Sequence, residues 1–337
     1  MSWTTLLPLA LLAVAPATPG TPGRPPVAAP LAHTYSIVAR DPQTGELGAA
    51  VQSHYFSVGP TVPWVEAGVG AVCTQSLVLV DYGPGGLDLM RAGRTAQQAL
   101  DSLLKLDAHN EGRQVAMVDA RGNVAAWTGG SCIPEAGHQT GAQYSAQANL
   151  MASDRVWPAM AKAYESTEGD LAGKLLAALE AAEKEGGDIR GRQSAAIVVV
   201  KAQPSGKPWA DRLFDLRVED SDQPLVELRR LVRLRRAYNL EDAGDTAIAE
   251  KRPEEALRYY EQAMAMAPEV VELRFWAAVS MYTNGREAEA LTQFREVFAR
   301  EARWVPLIAR LPKAGLFPDD PKKVAEVQAQ AVKGAPW

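Results

Sequence analysis

Two cysteines in 337 residues exclude a disulfide-stapled scaffold and a thiolate zinc cluster. Histidine is nearly as scarce. The four present, His33, His54, His109 and His138, never stand at H-E-x-x-H spacing, so the sequence offers no metal site and calls for no cofactor. A Ser–His–Asp triad through His54 or His138 has no positional support. Positive charge is not in excess: 35 basic residues face 40 acidic ones, for a net charge of −5 and a pI near 5.6. That excludes a nucleic-acid binder working by phosphate neutralisation. No phosphate loop with its lysine occurs, since Tyr82-Gly-Pro-Gly-Gly86 is turn chemistry alone. No G-x-S-x-G elbow occurs either, because the nearest match, Gly129-Gly-Ser-Cys-Ile133, ends in isoleucine. The apolar run at 6–17 is about a dozen residues, short of the roughly 20 that span a bilayer.

What is present divides the chain into three. Residues 1–33 read as a secretory leader, with an apolar stretch and small-residue cleavage options after Ala15 or Ala17, followed by a Pro/Gly/Ala-rich linker. No Lys or Arg stands in Met1–Thr5. The expectation is export to the periplasm or beyond, where a Cys73–Cys132 disulfide and two buried free thiols are both open. Residues 34–222 read as strand, hairpin, strand, helix, strands, helix, strands. Extended runs lie at 34–51, 68–80, 114–127 (folding back at 119–122), 194–201 and 213–218, and helical spacing at 86–106 and 156–184 breaks near Gly169. Hairpins in place of regular βαβ units point to sheets layered with helices, an α+β domain. Residues 34–219 hold 16 basic and 21 acidic residues, so most of the net charge falls here.

Residues 225–337 change to pure helix. Leu228, Leu231 and Val232 mark one face of a helix at 225–240, with Arg229, Arg230, Arg233 and Arg236 largely off it, a charged face that can pair with the acidic first domain. Arg252-Pro-Glu-Glu-Ala-Leu257 recurs as Arg286-Glu-Ala-Glu-Ala-Leu291, an offset of 34, the tetratricopeptide period. Gly244, Ala256, Tyr260, Ala263 and Pro268 occupy that repeat's small, aromatic and terminating positions, and Ala290 and Phe294 match in the second copy. Two repeats need caps, which the helices at 225–240 and 304–331 supply. Such a segment suits a protein partner; a rigid spacer or a contact with a second copy is the plainer use.

The informative chemistry begins at Thr34. A strand opens there immediately after the leader, and Thr34 and Ser36 share one face of it. A hydroxyl at a new chain terminus can use its own α-amine, of pKa about 7.7–8, as the base. On the residues alone, ordinary strand hydroxyls are the plainer reading.

HTYSIVARDPQTGELGAAVQSHYFSVG, then EAGVGAVCTQS, YGPGGL and GGDIRGRQSAA, resemble the domain of unknown function 1028 family over about residues 34–235. That resemblance implies the Ntn-hydrolase-like (N-terminal nucleophile) α-β-β-α sandwich and, by superfamily analogy, hydrolysis of an amide or peptide-like bond of unspecified substrate. It places Thr34 or Ser36 as nucleophile, with Ser53 and His54 beside it across the hairpin. Gln147 and Asn149 become oxyanion donors, and Asp188, Arg190, Gln193 and Ser194 a loop for a substrate's polar end. Cleavage after Ala17 leaves Thr18–His33 ahead of Thr34, so a free nucleophile needs a second cut. Without that cut the chain is expected to be a catalytically silent small-ligand-binding or scaffold protein. Self-association is compatible with either.

Overall fold

The computed structural model describes residues 31–331. The leader reading, with its apolar run and cleavage positions, lies outside the described residues except at 31–33. The chain proceeds through β1 (Leu31–Ala32), β2 (Thr34–Arg40), β3 (Leu47–Ser53), β4 (Pro63–Glu66) and β5 (Gly70–Leu77), then α1 (Tyr82–Arg91) and α2 (Ala96–Leu106). It continues with β6 (Arg113–Asp119), β7 (Val124–Thr128), β8 (Gly137–Gly141), β9 (Tyr144–Ala148), α3 (Val156–Ser166), α4 (Leu171–Lys184), β10 (Ser194–Val200) and β11 (Arg212–Val218). One antiparallel sheet runs β11-β10-β3-β2-β9-β8; the other runs β1-β5-β6-β7, with β4 also paired to β5.

Alternation along the strands builds the layers. On β2, Ile37 and Ala39 pack outward with Leu175 and Leu179 of α4, while Val38 packs inward with Ala49, Cys73, Ala116 and Val118. The other sheet's outer face, through Val72 and Met117, is covered by Leu87 and Met90 of α1 and Leu100 of α2. Small inward residues let the two sheets approach closely. Both cysteines are buried free thiols, and desolvation pushes Cys73 up to about 12.

Local chemistry explains the breaks. The helical spacing at 86–106 is two helices, parted at Gly93 (φ 93°) and restarted by a Thr95–Gln98 capping box. The break between α3 and α4 falls at Gly169 (φ 107°), and Asp170 caps α4 through the Gly173 amide. The β8–β9 hairpin was not anticipated: β8 (GHQTG) has no apolar side chain, and the short β9 alternates Tyr144, Ala146 and Ala148 with Ser145 and Gln147, which face a polar interior.

From β11 the chain enters α5 (Pro224–Ala249), a 26-residue helix longer than the 225–240 expected. Its first half buries Leu228 and Val232 in the sandwich core, and its second half packs Ala237 against Ala263 and Leu273. Two partners on one helix mean two apolar stripes, so no single face runs its length. Arg229 and Arg236 pair with Glu180 and Asp170 of the sandwich, Arg233 with Glu269 of the repeat, and Arg230 with Glu227 on its own helix. The repeat follows as α6 (Pro253–Met266), α7 (Val271–Thr283) and α8 (Glu287–Arg300), closed by α9 (Val305–Ile308) and α10 (Pro321–Gln328). Phe275, Tyr282, Phe294, Ile308, Phe317 and Val327 fill its core. Among the described residues, no helix is long and apolar enough to cross a membrane.

Candidate functional site

At one end of the sandwich the inward positions turn polar. Register sets Thr34 opposite Ser53, and Ser36 between Val51 and Gln147, while Gln75 and Gln114 come from the facing sheet. All six polar side chains are fully buried, so each needs partners. Ser145 donates to Gln147 (3.0 Å), Gln147 to Ser36 (2.7 Å), Ser36 to Gln75 (2.6 Å) and Gln75 to Gln114 (2.7 Å). Gln75 Nε2 also reaches the Thr34 carbonyl at 3.1 Å. This chain of hydrogen bonds crosses from sheet to sheet.

Thr34 stands at the end of the ladder. Its single hydroxyl proton has two acceptors in reach, the Ala32 carbonyl at 2.8 Å and Ser53 Oγ at 3.1 Å. Ser53 donates at 2.6 Å to the carbonyl of His33, and the Arg190 guanidinium donates to the same oxygen at 2.7 Å. The peptide bond ahead of Thr34 is thus polarised by a hydroxyl and a cation. Arg190 is held in turn by Asp188, Nε to Oδ1 at 3.0 Å and Nη2 to Oδ2 at 2.7 Å, and the Asp188 side chain is wholly buried. The Asp188 carboxylate also accepts from the backbone amides of His54 and Arg190.

Residues 31–33 cover Thr34. β1 pairs with β5 through Ala32 and Ser76, and the His33 ring lies against Asn149, Nδ1 to Oδ1 at 2.8 Å. Asn149 Oδ1 can only accept, so Nδ1 carries the proton. Burial, with Arg190 adding to it, holds His33 below the ordinary imidazole value, against the opposing pull of Asn149 and Asp188. Two non-glycine residues in left-handed backbone flank the site, Ser76 (φ 75°) on β5 and Leu150 (φ 59°) just past β9, a conformation costing about 1–3 kcal/mol each.

The residues expected from sequence divide into three sets. Thr34, Ser53, Asn149, Asp188 and Arg190 surround the His33–Thr34 bond. Ser36 and Gln147 sit one step deeper, with their polar atoms taken up by the ladder. His54 lies just past the end of β3; its ring is exposed and 3.3 Å from the Arg192 carbonyl. Gln193 donates from its side chain to Asp220, and Ser194 binds the Tyr55 carbonyl and the Val58 amide, shaping the 54–58 loop. Sequence reasoning passed over His33, Gln75 and Gln114. A lone glutamine inside the apolar run at 70–77 was the available signal. Among the described residues, no group of three or more His, Cys, Asp or Glu is placed to hold a metal ion.

Three comparisons bear on this arrangement. A model of a family of unknown function (DUF1028) matches residues 34–228, and a tetratricopeptide-repeat model matches 247–311. The crystal structure of a DUF1028 protein from Silicibacter pomeroyi is 30% identical, covering 59% of this chain and 88% of its own, with a TM-score of 0.53. No curated protein matches. The family match spans the sandwich from Thr34 onward, with Ser53, Asn149, Asp188 and Arg190 but without β1 and His33, and with it the chain belongs to the DUF1028 family, carrying a tetratricopeptide segment after the family domain.

Proposed function

We propose that this protein is an amide hydrolase of the N-terminal-nucleophile type, with Thr34 as nucleophile and its own amine as base once the His33–Thr34 bond is broken. One observation carries the reading: the His33 carbonyl accepts from both Ser53 and Arg190, at 2.6 and 2.7 Å. Donors already aimed at that oxygen stabilise the negative charge that develops there on attack.

The chain's own bond is then the first substrate. Thr34 Oγ bonds to the His33 carbonyl carbon, the C–N bond breaks, and the hydroxyl proton passes to the Thr34 nitrogen. The resulting ester takes up water, leaving a carboxylic acid on His33 and a free amine on Thr34. In later turnovers that amine, of pKa about 7.7–8, removes the hydroxyl proton as Thr34 attacks an external amide or peptide-like bond. The substrate carbonyl takes the place of His33's, with Ser53 and Arg190 as donors, Asp188 fixing Arg190, and Asn149 receiving a polar group as it receives the imidazole. Two sheets between two helical layers support the Ntn-hydrolase-like assignment, and the apolar run at 6–17 supports export.

A second reading has its own observation. With residues 32–34 buried and the His33 ring anchored, the uncut chain is a closed, catalytically silent domain. Intact mass and N-terminal sequencing of purified full-length protein separate the two. The hydrolase reading expects a chain beginning at Thr34, no such product from Thr34→Ala, and cleavage slowed about 10²–10³-fold in Ser53→Ala, the effect of losing one oxyanion donor. A wild-type chain that stays joined at His33–Thr34, and turns over no dipeptide or N-acyl amino acid, sinks it in favour of the silent protein.

A further inference from the structure

The repeat segment holds a second site, unrelated to Thr34. A cavity of about 830 Å³ opens between α5, α7 and the loop at 315–318. Its wall is apolar through Trp276, Val279, Leu316 and Phe317 and acidic through Glu241, Asp245 and Glu272. Glu241 and Asp245 lie one turn apart on the same face of α5. No lysine, arginine or histidine lines the cavity.

The three carboxylates are not equivalent. Asp245 accepts from the Tyr260 hydroxyl at 2.7 Å and Glu272 from the Tyr238 hydroxyl at 3.1 Å. Glu241 is 9% exposed, and among the described residues no group donates to it or pairs with it. A buried carboxylate without a partner is costly, more so beside two others. An incoming cation relieves that cost. Leu316 remains half exposed at the lip although it belongs to the apolar wall.

We propose that this groove binds a peptide segment through a lysine or arginine side chain, its cationic head among Glu241, Asp245 and Glu272 and an adjacent apolar side chain against Trp276 and Leu316. The size argues for a peptide over a lone amine, since 830 Å³ exceeds what one ammonium group fills and lies within the range of sites that enclose several side chains. Charge complementarity selects the sign. The bare carboxylate selects the centre, and the aromatic wall suits a cation as well as an apolar neighbour.

The test is a positional-scanning array of immobilised hexapeptides probed with the full-length protein, followed by titration of the best peptide in solution. Selected peptides should carry Lys or Arg at one position with an apolar residue beside it, and replacing that cation with norleucine should weaken binding at least tenfold. Glu241→Gln should weaken binding by a similar factor while leaving the melting temperature unchanged or raised, because it removes a repulsive charge. Leu316→Ser, at a half-exposed position that removes the apolar contact without adding charge, should weaken it again. Selection of acidic or uncharged peptides, no selection at all, indifference to Glu241→Gln, or equal binding of free cadaverine would each overturn the proposal. Every outcome is independent of whether Thr34 is cut.

Discussion

Ser36 and Thr34 share the inner face of β2, yet their hydroxyls have different surroundings. Ser36 donates to Gln75 and accepts from Gln147, so it is a rung of the buried ladder. Ser36→Ala should lower stability by about 1–3 kcal/mol, since both amides lose a partner inside the sandwich. Denaturant unfolding measures the loss, and mass analysis should show cleavage before Thr34 still occurring. Arg190→Gln removes the charge facing Asp188, whose side chain is wholly buried. A loss of about 3–5 kcal/mol in the same assay is expected for the stranded carboxylate. The acidic groove offers a pH test. Desolvation first, then Asp245, Glu272 and Asp242, push Glu241 up to about 7. The folded state therefore keeps a proton that the unfolded chain releases near 4.5, so this residue costs nothing below that value and erodes stability as pH rises to about 7. Glu241→Gln should remove that decline and gain about 2 kcal/mol at pH 8, read from urea midpoints across the range.

At the scale of elements, α5 links the two halves. Leu228 sits in the sandwich core and Gly244 in the repeat, sixteen positions along one helix. A Cβ on Gly244 would lie 2.5 Å from the Tyr260 ring, so Gly244→Ala should cost about 1–3 kcal/mol by overpacking, seen as a lowered melting temperature. The repeat was legible for this reason: Ala256 and Tyr260 are matched by Ala290 and Phe294 at a fixed local spacing whose packing logic needs no distant partner. The strand pairs joined by tight turns were legible likewise, as at β6–β7, where Asp119 accepts from the Arg121 and Asn123 amides. The β8–β9 hairpin was not. Ser145 and Gln147 look like loop residues until a polar interior is known to face them.

Across the whole molecule, the sandwich and the repeat share a helix in place of a flexible linker, so Leu228→Ala should reach both. A loss of about 2–5 kcal/mol is expected, with the transition of the helical segment shifted along with that of the sheets, followed by hydrogen exchange. Composition and local period alone determined much of the protein. They excluded phosphate-neutralising nucleic-acid binding and a cysteine zinc site, and placed most strands, the helical break near Gly169 and the 34-residue repeat, whereas the break at Gly93 came only from the structure. They could also mark Thr34, since a strand opening after a Pro/Gly/Ala-rich stretch is a local feature. Which of its neighbours matter was decided only by the tertiary structure. His33, Ser53, Asn149 and Arg190 converge from positions up to 157 residues apart, through strand register and one loop. Nothing in the sequence near Gln75 or Gln114 says that they face each other across two sheets. Periodicity tells which face a residue occupies, and only packing tells what that face meets.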